Sequence, residues 1–306
     1  MIKILTNDGI EKSAALKLEA MGYQVDESHY DGDGLKEAVQ HVDVLTVRSA
    51  TKVTREIIDA AMKTGKLKLI IRGGVGIDNI DADYARSKGI AVSNTPNASS
   101  ASVAELVIGH LFSLARHIGI ANVTMRNGEW NKKHYQGIEL AGKTIGLIGS
   151  GRIAQETAKK AGALGMKVIY TNRTGAKDCL SEHEFYALDD LLKQSDFISI
   201  HIPFIKGNKP LIGAKEFNLM KDGVYIINTA RGGIIEEKAL MQAIESGKVA
   251  GAALDVFEEE PTANAELWGC AKLSVTPHIG GSTKEAQQRI GDEVAAIIGQ
   301  FFNKGE

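Results

Sequence analysis

Hydrophobic and polar positions along the chain follow two alternating patterns. Short runs of apolar, strand-forming residues predict β-strands, and stretches with apolar side chains at helical spacing lie between them. The alternation is typical of parallel α/β sheets, and the wide gap after the fourth strand divides the strands into two sheets. The predicted strands are Ile2–Leu5, Val42–Val47, Leu67–Ile71, Ile90–Val92, Thr144–Ile148, Lys167–Thr171, Phe197–Ile200, Val224–Ile227, Ala250–Leu254 and Leu273–Val275.

The helical patterns indicate where the chain passes between its two halves. Three of them lie near residues 11–21, 54–63 and 81–88. The longest runs from Ser99 to Met125 and follows a turn whose Asn and Pro suit a helix start. We therefore expect the first crossing between domains at residues 94–98.

The end of the chain predicts a second crossing. A last helix, Ser282–Phe302, follows the turn at Gly280 and Gly281, and no strand comes after it. We expect this helix to return to the first domain. The prediction is a discontinuous domain of residues 1–97 and 282–306 and an inserted domain of residues 98–281. The irregular arm at residues 126–139 is typical of segments that pack on a partner subunit or line a cleft.

Composition limits the classes of function. The length of 306 residues suits two domains, and 43% hydrophobic with 24% charged residues is ordinary for a soluble protein. A net charge of −2 offers no electrostatic reason for a nucleic-acid or anionic-membrane partner. Two cysteines, Cys179 and Cys270, are too few for a disulfide framework and fit a reducing compartment. We therefore expect a cytoplasmic protein. We also expect no metal site, because no cluster has the spacing of zinc ligands.

The most specific motif is the glycine turn between the strand Thr144–Ile148 and a helical pattern. Gly149 permits a tight turn, and Gly151 lets the backbone approach a pyrophosphate. Ala154 takes the third small position, where helix and strand pack closely. Unpaired N–H groups at the helix start then face the phosphates. The strand–turn–helix context favours a dinucleotide site over an ordinary tight turn.

Polar residues follow the strands of the second half, where ligands of parallel sheets bind. Hydride transfer from an alcohol needs a base near neutral pKa, a cation for a carboxylate and carbonyl, and a carboxylate beside the base. His278, Arg231 and Glu260 meet these needs. Each alone suits a structural role, but three complementary types at strand ends favour catalysis. The polar stretches are His201–Pro203, Asn228–Gly233, Asp255, Glu258–Pro261 and Thr276–Gly281.

A second glycine run in the first half offers a place for an anion. Arg72 is followed by glycines whose backbone amides suit an anion nest, and Arg72 adds charge. Arg48 and Ser49 end the preceding strand and are expected on the same side. The alternative is a flexible turn. The predicted substrate contacts are Arg48, Ser49, Arg72, Gly74, Val75 and Gly76.

Together these residues resemble the D-isomer-specific 2-hydroxyacid dehydrogenase family over nearly the whole chain. The resemblance implies two Rossmann-like parallel-sheet domains, a flavodoxin-like substrate domain with an inserted NAD(P)-binding domain, and a homodimer built on residues 99–140. It also implies Arg231 as substrate anchor, Glu260 as partner of the histidine and His278 as acid/base, with Asp255 at the nicotinamide end. The matching segments are Gly73–Asp81, Gly149–Gln155, Asn228–Ile235, Gly251–Pro261 and Thr276–Gly281.

The predicted cofactor contacts combine the glycine turn, the strand ends and positions that the resemblance implies. The resemblance extends them to the start of the helix after the turn and to the main chain around Arg231 and His278. They are Gly149, Gly151, Arg152, Ile153, Asn172, Arg173, Thr174, His201, Ile202, Pro203, Thr229, Ala230, Arg231, Asp255, His278, Gly280 and Gly281.

Within the family, the resemblance is greatest to the D-3-phosphoglycerate dehydrogenases, enzymes of serine biosynthesis. It is carried by Val47–Val53, Asn94–Asn97 and Gly280–Ala286. Arg48 and Arg72 then become candidates for the substrate phosphate, which suits bidentate arginine. Because the sequence ends at Glu306, we expect the regulatory C-terminal domains of longer members to be missing, and with them feedback control by serine.

One departure concerns the cofactor. NAD-specific members have an acidic residue after the second strand of this domain, which binds the ribose hydroxyls. Here the strand is followed by Asn172, Arg173 and Thr174, so no carboxylate repels a 2′-phosphate and Arg173 is suited to bind one. This favours NADP(H) over NAD(H) modestly. The alternative is that Asn172 binds the ribose while Arg173 points to solvent.

Three functions follow from these observations. The first is a D-3-phosphoglycerate dehydrogenase. The second is an NADPH-dependent glyoxylate/hydroxypyruvate reductase, indicated by Asn172 and Arg173. The third, of a different class, is a catalytically silent NAD(P)-sensing repressor or scaffold. Such a protein has no need of His278 and Glu260, so their presence argues against it.

Overall fold

The structure is a computed structural model that describes residues 1–204 and 207–303. The strands are β1 Lys3–Thr6, β2 Gln24–Asp26, β3 Val44–Val47, β4 Leu69–Arg72, β5 Ala91–Asn94, β6 Thr144–Ile148, β7 Lys167–Thr171, β8 Glu184–Phe185, β9 Phe197–Ile200, β10 Val224–Asn228, β11 Val249–Leu254 and β12 Leu273–Val275. The helices are α1 Lys12–Ala20, α2 Gly32–Ala38, α3 Arg55–Met62, α4 Ala82–Ser87, α5 Ser100–Arg116, α6 Ile118–Arg126, α7 Arg152–Ala163, α8 Leu188–Gln194, α9 Ala214–Leu219, α10 Glu237–Glu245, α11 Ala265–Gly269 and α12 Lys284–Asn303. Short 3-10 turns lie at Lys132–His134 and Asp178–Leu180.

The chain divides into two compact units, Met1–Ser99 with Gly281–Glu306, and Ser100–Gly280. The sequence-based boundaries, after residues 97 and 281, lie within two residues of these divisions. Both units are parallel α/β folds, as predicted, so the fold class is confirmed. The roles predicted for the two units stay predictions.

The first unit is built on a five-stranded parallel sheet in the order β2-β1-β3-β4-β5. Strands β3 and β4 are almost wholly buried because their side chains, apart from Thr46 and Arg72, are apolar on both faces. Helix α12 packs against α1 and contributes Ile290, Val294 and Ile298 to one core cluster. The order places a switch point between β1 and β3, where the connections leave in opposite directions.

The second unit contains a seven-stranded parallel sheet in the order β12-β11-β10-β9-β6-β7-β8. Helix α7 presents Ala154, Ala158 and Ala161 to the sheet, and these small side chains allow a close approach. Helix α5 packs against α7 and touches β10, β11 and β12. The carboxyl ends of β6, β9 and β10 are therefore neighbours at one edge, followed by β11 and β12.

The single long helix predicted over Ser99–Met125 is wrong. The structure has two helices, α5 and α6, because His117 adopts a left-handed conformation with φ 55°. The carbonyl of Ala115 accepts a hydrogen bond from Ile138 N at 2.9 Å, a partner outside the helix. Gly137 lies so close to that carbonyl that an added Cβ would meet it at 2.3 Å. A contact distant in sequence therefore ends the helix.

Several short elements were not predicted, among them β2, β8 and α2. Strands β2 and β8 have three and two residues, and neither contains a fully buried side chain. Helix α2 buries only Leu35. Within the described ranges no single helix is long and apolar enough to span a membrane; α5 and α6 together meet the test of length and composition but are bent by 67°.

Candidate active site

The glycine turn after β6 has the geometry of a dinucleotide cradle. Gly149 has φ 116°, and a Cβ there would lie 2.5 Å from His201 O, so only glycine fits. Gly151 caps the twelve-residue helix α7, and a Cβ there would meet nothing within 4 Å. Ala154 is fully buried. The backbone at Gly151 is thus open to a phosphate, and the predicted Arg152 and Ile153 begin α7.

Two buried polar atoms at the ends of the neighbouring strands β9 and β10 have no partner among the described residues. They are His201 Nε2, after β9, and Thr229 Oγ1, after β10. Burial lowers the pKa of His201 to about 3, so the ring is neutral at pH 7. Because buried polar groups are nearly always hydrogen-bonded, these orphans and the open Gly151 fit a bound dinucleotide.

The end of β7 lies beside the same turn. Asn172 Nδ2 donates to Thr174 Oγ1 at 3.1 Å, and Cys179 Sγ lies 3.6 Å from Ser150 O. Arg173 is exposed, and its side chain makes no hydrogen bond or ion pair with another described residue. No carboxylate occupies positions 172–174, in agreement with the sequence.

The loop after β10 positions Arg231. Asn228 Nδ2 donates to Arg231 O at 2.8 Å, and Ala230 N donates to Asn228 Oδ1 at 3.0 Å. Gly232 passes so close to Phe257 O that a Cβ would lie 1.6 Å from it. The Arg231 guanidinium donates to Ala230 O at 2.6 Å. The loop is therefore held from both sides, as a rigid substrate anchor requires.

His278 and Glu260, 18 residues apart, meet in the structure. His278 Nδ1 lies 2.6 Å from Glu260 Oε2, and Glu260 Oε1 accepts from Phe257 N at 3.1 Å. Burial acts to raise the pKa of Glu260, but the hydrogen bond and charge of His278, Phe257 N and the charge of Arg231 hold it below its ordinary value. The charge of Arg231 thus reaches the pair, and all three predicted catalytic residues belong to this unit.

The loop that carries His278 is fastened by Asp255. Ile279 N and Gly280 N donate to the two carboxylate oxygens, each at 2.8 Å, and Thr276 Oγ1 donates to Oδ1 at 2.6 Å. Asp255 is 1% exposed. Its carboxylate is engaged by the loop, and the cofactor contact at the nicotinamide end that the resemblance implies for Asp255 stays a prediction. This clamp holds His278 itself at φ 53°, a left-handed conformation.

The predicted substrate residues lie after β3 and β4 in the first unit. Gly74 has φ 150°, and its Cα packs so closely on the Arg72 guanidinium that a Cβ would lie 1.4 Å from Nη1. Thr95 N donates to Gly74 O at 3.0 Å, and Val75 O accepts from Asn94 Nδ2. These hydrogen bonds hold the run as a turn, and its role as an anion site stays a prediction. Ser49 and Val75 are exposed, and Gly76 is half-buried.

Arg48 lines a cavity of about 510 Å³ that the sequence did not indicate. Its other lining residues are Glu11, Ser282, Thr283, Lys284, Gln287 and Gln288, all in the first unit. The side chains of Arg48 and Lys284 form no ion pair with a described residue, whereas Glu11 accepts from Ser13 N at 2.7 Å. The sequence gives no separate signal for Lys284, because its segment Gly280–Ala286 carries the resemblance as a whole.

Metal ligation has no support in the part of the chain that the structure describes. Residues 1–204 and 207–303 contain no group of three or more His, Cys, Asp or Glu side chains placed to hold a metal ion. Both cysteines are free.

Comparison with known proteins identifies the family. Residues 108–280 match the model of the D-isomer specific 2-hydroxyacid dehydrogenase NAD-binding domain. The chain is 47% identical over 300 residues to a hydroxypyruvate reductase of Thermotoga maritima, covering 97% of both. It is 44% identical over 301 residues to a D-3-phosphoglycerate dehydrogenase of Methanocaldococcus jannaschii, covering 97% of this chain and 57% of that protein.

A solved structure supports the same assignment. A glyoxylate reductase of Paecilomyes thermophila superposes with a TM-score of 0.90 at 34% identity, covering 100% of this chain and 96% of that one. The predicted nicotinamide dinucleotide agrees with the family's NAD-binding domain. The chain belongs to the D-isomer specific 2-hydroxyacid dehydrogenase family and is an oxidoreductase that acts on the CH–OH group of 2-hydroxy acids.

Proposed function

We propose that the chain is a D-3-phosphoglycerate dehydrogenase, which oxidises the C2 hydroxyl of its substrate. The observation that carries this proposal is the cavity in which Arg48 and Lys284 face the same space without an anionic partner among the described residues. Two cations that are left unpaired suit a doubly charged phosphate better than a neutral hydroxymethyl group.

Each catalytic residue has a role that its geometry supports. Arg231 holds the substrate carboxylate and polarises the C2 oxygen, since its loop is fixed by Asn228. His278 takes the hydroxyl proton on Nε2, because Nδ1 is engaged by Glu260. Glu260 orients the ring and stabilises its protonated form. The nicotinamide, when bound, supplies the acceptor for the C2 hydride.

The dinucleotide is held by groups at the edge of the second sheet. The backbone at Gly151 and the start of α7 are suited to the pyrophosphate, and the orphan atoms of His201 and Thr229 are suited to polar groups of the cofactor. Ile202 and Pro203 follow β9 beside them. Gly281, also predicted as a contact, falls in the first unit.

The substrate proposal predicts a selective loss on removing either cation. Arg48→Ala and Lys284→Ala are each expected to raise KM for D-3-phosphoglycerate by about tenfold or more, the value of one charge-assisted phosphate contact. KM for D-glycerate, which lacks the phosphate, is expected to stay constant. Initial rates from reduced-nicotinamide absorbance measure both, and Lys63→Ala, an exposed lysine of the same unit, is the control.

The outcome that contradicts the proposal is turnover of glyoxylate or hydroxypyruvate with none of D-3-phosphoglycerate. That result favours the second candidate, a glyoxylate/hydroxypyruvate reductase. Two observations support this candidate: the similarity to the Thermotoga reductase over 97% of both chains, and the side chains of Asn172 and Arg173.

For the cofactor we propose a modest preference for NADP(H). The side chain of Arg173 is exposed beside the glycine turn and has no described partner, so it is available to a 2′-phosphate. Arg173→Ala is expected to lower the ratio of kcat/KM for NADPH over NADH by about tenfold. Lys159→Ala, an exposed residue of α7, is the control. If the wild type uses NADH far better than NADPH, Asn172 binds the ribose and the preference is wrong.

We also propose a homodimer built on residues 99–140, in the cytoplasm, acting in serine biosynthesis. Residues 99–140 expose large apolar side chains, with Ile118, Val123 and Met125 of α6 more than half exposed and Trp130 of the arm 77% exposed. Such a patch is typical of protein contact surfaces. Free cysteines support a reducing compartment. A monomeric mass by light scattering at micromolar concentration contradicts the dimer.

A further inference from the structure

A buried histidine of helix α5 contacts the segment that leads to His278. His110 is 3% exposed, with Nδ1 2.9 Å from Ser274 Oγ and Nε2 3.3 Å from Thr276 Oγ1. Ser274 Oγ lies in turn 3.1 Å from Ser113 Oγ, also on α5. In the sequence His110 is a polar residue within an apolar stretch, and the pattern indicates no role for it. The structure shows that both ring nitrogens have hydroxyl partners.

Burial keeps the His110 ring neutral, and Thr276 offers it a hydrogen-bond acceptor. Burial holds the pKa of His110 below its ordinary value, against a smaller opposite effect of the Asp255 carboxylate. The ring is therefore neutral at pH 7, with one donor and one acceptor nitrogen. Thr276 has a single hydroxyl proton and donates it to Asp255 at 2.6 Å. Its oxygen is then an acceptor toward His110 Nε2.

The same contacts continue to the backbone beside the candidate acid–base group. Asp255 accepts from Ile279 N and Gly280 N at 2.8 Å each, the two amides that follow His278. Gly280 is closely packed, since a Cβ there would lie 3.1 Å from Asp255 Oδ2 and 3.3 Å from Val103 of α5. A chain of hydrogen bonds thus runs from the centre of α5 to the loop.

We propose that His110 is a positioning residue for the reaction, acting through Thr276 on the carboxylate of Asp255. This contact chain fixes the backbone after His278 and, with it, the orientation of the His278 ring. The inference rests on the proposed acid–base role of His278. The left-handed φ of 53° at His278 supports it, because a non-glycine residue keeps that conformation only where its surroundings hold it.

Packing alone does not explain a histidine at this position. The neighbours of His110 along the inner face of α5 are apolar, among them Val107, Leu111 and Leu114. A leucine would fill such a site without needing hydrogen-bond partners, whereas a buried imidazole is costly unless both nitrogens are satisfied. The polar ring therefore contributes its hydrogen bond to Thr276 rather than its volume.

Four variants test the chain of contacts. His110→Phe keeps a ring but removes its hydrogen bonds, whereas His110→Gln keeps a hydrogen-bond donor. Thr276→Val removes the hydroxyl that His110 contacts. The double variant combines His110→Phe with Thr276→Val. Val107→Ala is the matched control, a cavity in the same helix away from the network. The first readout is amide hydrogen exchange at Ile279 and Gly280 in the free protein. The second is the single-turnover rate of hydride transfer from D-3-phosphoglycerate to NADP⁺.

We expect His110→Phe and Thr276→Val each to speed exchange at the two amides and to slow hydride transfer, both by about tenfold, with KM for the dinucleotide unchanged. The double variant is expected to equal Thr276→Val, and His110→Gln to recover most of the rate. Val107→Ala is expected to lower thermal stability only.

Two results overturn the proposal. One is additive losses in the double variant, which mean that the residues act independently. The other is an amide exchange rate at Ile279 and Gly280 that the His110 and Thr276 variants leave unchanged, or that Val107→Ala changes by as much as they do. If the wild type turns over no 2-hydroxy acid, the proposed function fails, while the exchange measurement still decides whether His110 holds the loop.

Discussion

Replacing His278 by alanine is expected to lower kcat/KM by about 10²–10⁴-fold, the usual contribution of a positioned acid or base. The loss follows because Nε2 of His278 is the nitrogen left free to exchange the substrate proton while Nδ1 contacts Glu260 at 2.6 Å. Steady-state rates at saturating dinucleotide measure it, with substrate varied.

The chain contains a matched control for this variant. His41 Nε2 lies 3.0 Å from Glu37 Oε1 in an exposed pair of the first unit. His41→Ala therefore removes a histidine–glutamate pair without touching the candidate site, and wild-type rates are expected. A loss of less than tenfold in His278→Ala would contradict the assignment of His278 as the acid–base group.

The carboxylate of Glu260 is expected to make the stability of the protein depend on pH. Its pKa in the folded protein is held below the ordinary 4.5 by His278, Phe257 N and Arg231, against the effect of burial. A carboxylate with a depressed folded pKa stabilises the fold above its unfolded pKa, and this stabilisation is lost as pH falls through the folded pKa. The wild type is thus expected to have a larger free energy of unfolding than Glu260→Gln at pH 7. This difference should disappear in acid. Urea unfolding at several pH values measures it.

Gly151→Ala is expected to weaken dinucleotide binding by about tenfold or more, because the added methyl group occupies the space where the backbone would approach the pyrophosphate. A Cβ at Gly151 meets nothing within 4 Å, and the backbone there has an ordinary φ of −69°. The protein itself therefore tolerates the methyl group, and the melting temperature should stay constant. Fluorescence titration with the dinucleotide measures the affinity.

Gly162→Ala is the control for this substitution. Gly162 lies in the same helix, and a Cβ added there would also meet nothing within 4 Å, but it is near the opposite end of α7. Alanine in a helix interior is favoured over glycine by about 0.5–1 kcal/mol, so stability should rise slightly while affinity is unchanged. Equal affinities in the two glycine variants would mean that the turn does not hold the pyrophosphate.

Most of the fold was predictable because its strands are buried and strongly apolar. Strands β6, β7, β9 and β12 have the predicted bounds, and the glycine turn follows β6 as expected. The elements that escaped prediction have little buried surface, as in β8 and α2. The break at His117 also escaped, since it depends on a hydrogen bond from Ile138 to a helix carbonyl. Hydrophobic periodicity does not encode such contacts.

The candidate site was also predictable in part. Sequence alone was enough to find the polar residues at the strand ends, including Arg231, Glu260 and His278, because ligands of parallel sheets bind where strands end. It also determined the glycine turn and the family. The packing of the elements was needed to show that Glu260 contacts His278, that Lys284 and Arg48 line one cavity, and that His110 contacts Thr276. These pairs join residues far apart in the chain, and their contacts exist only once helices and sheets have packed.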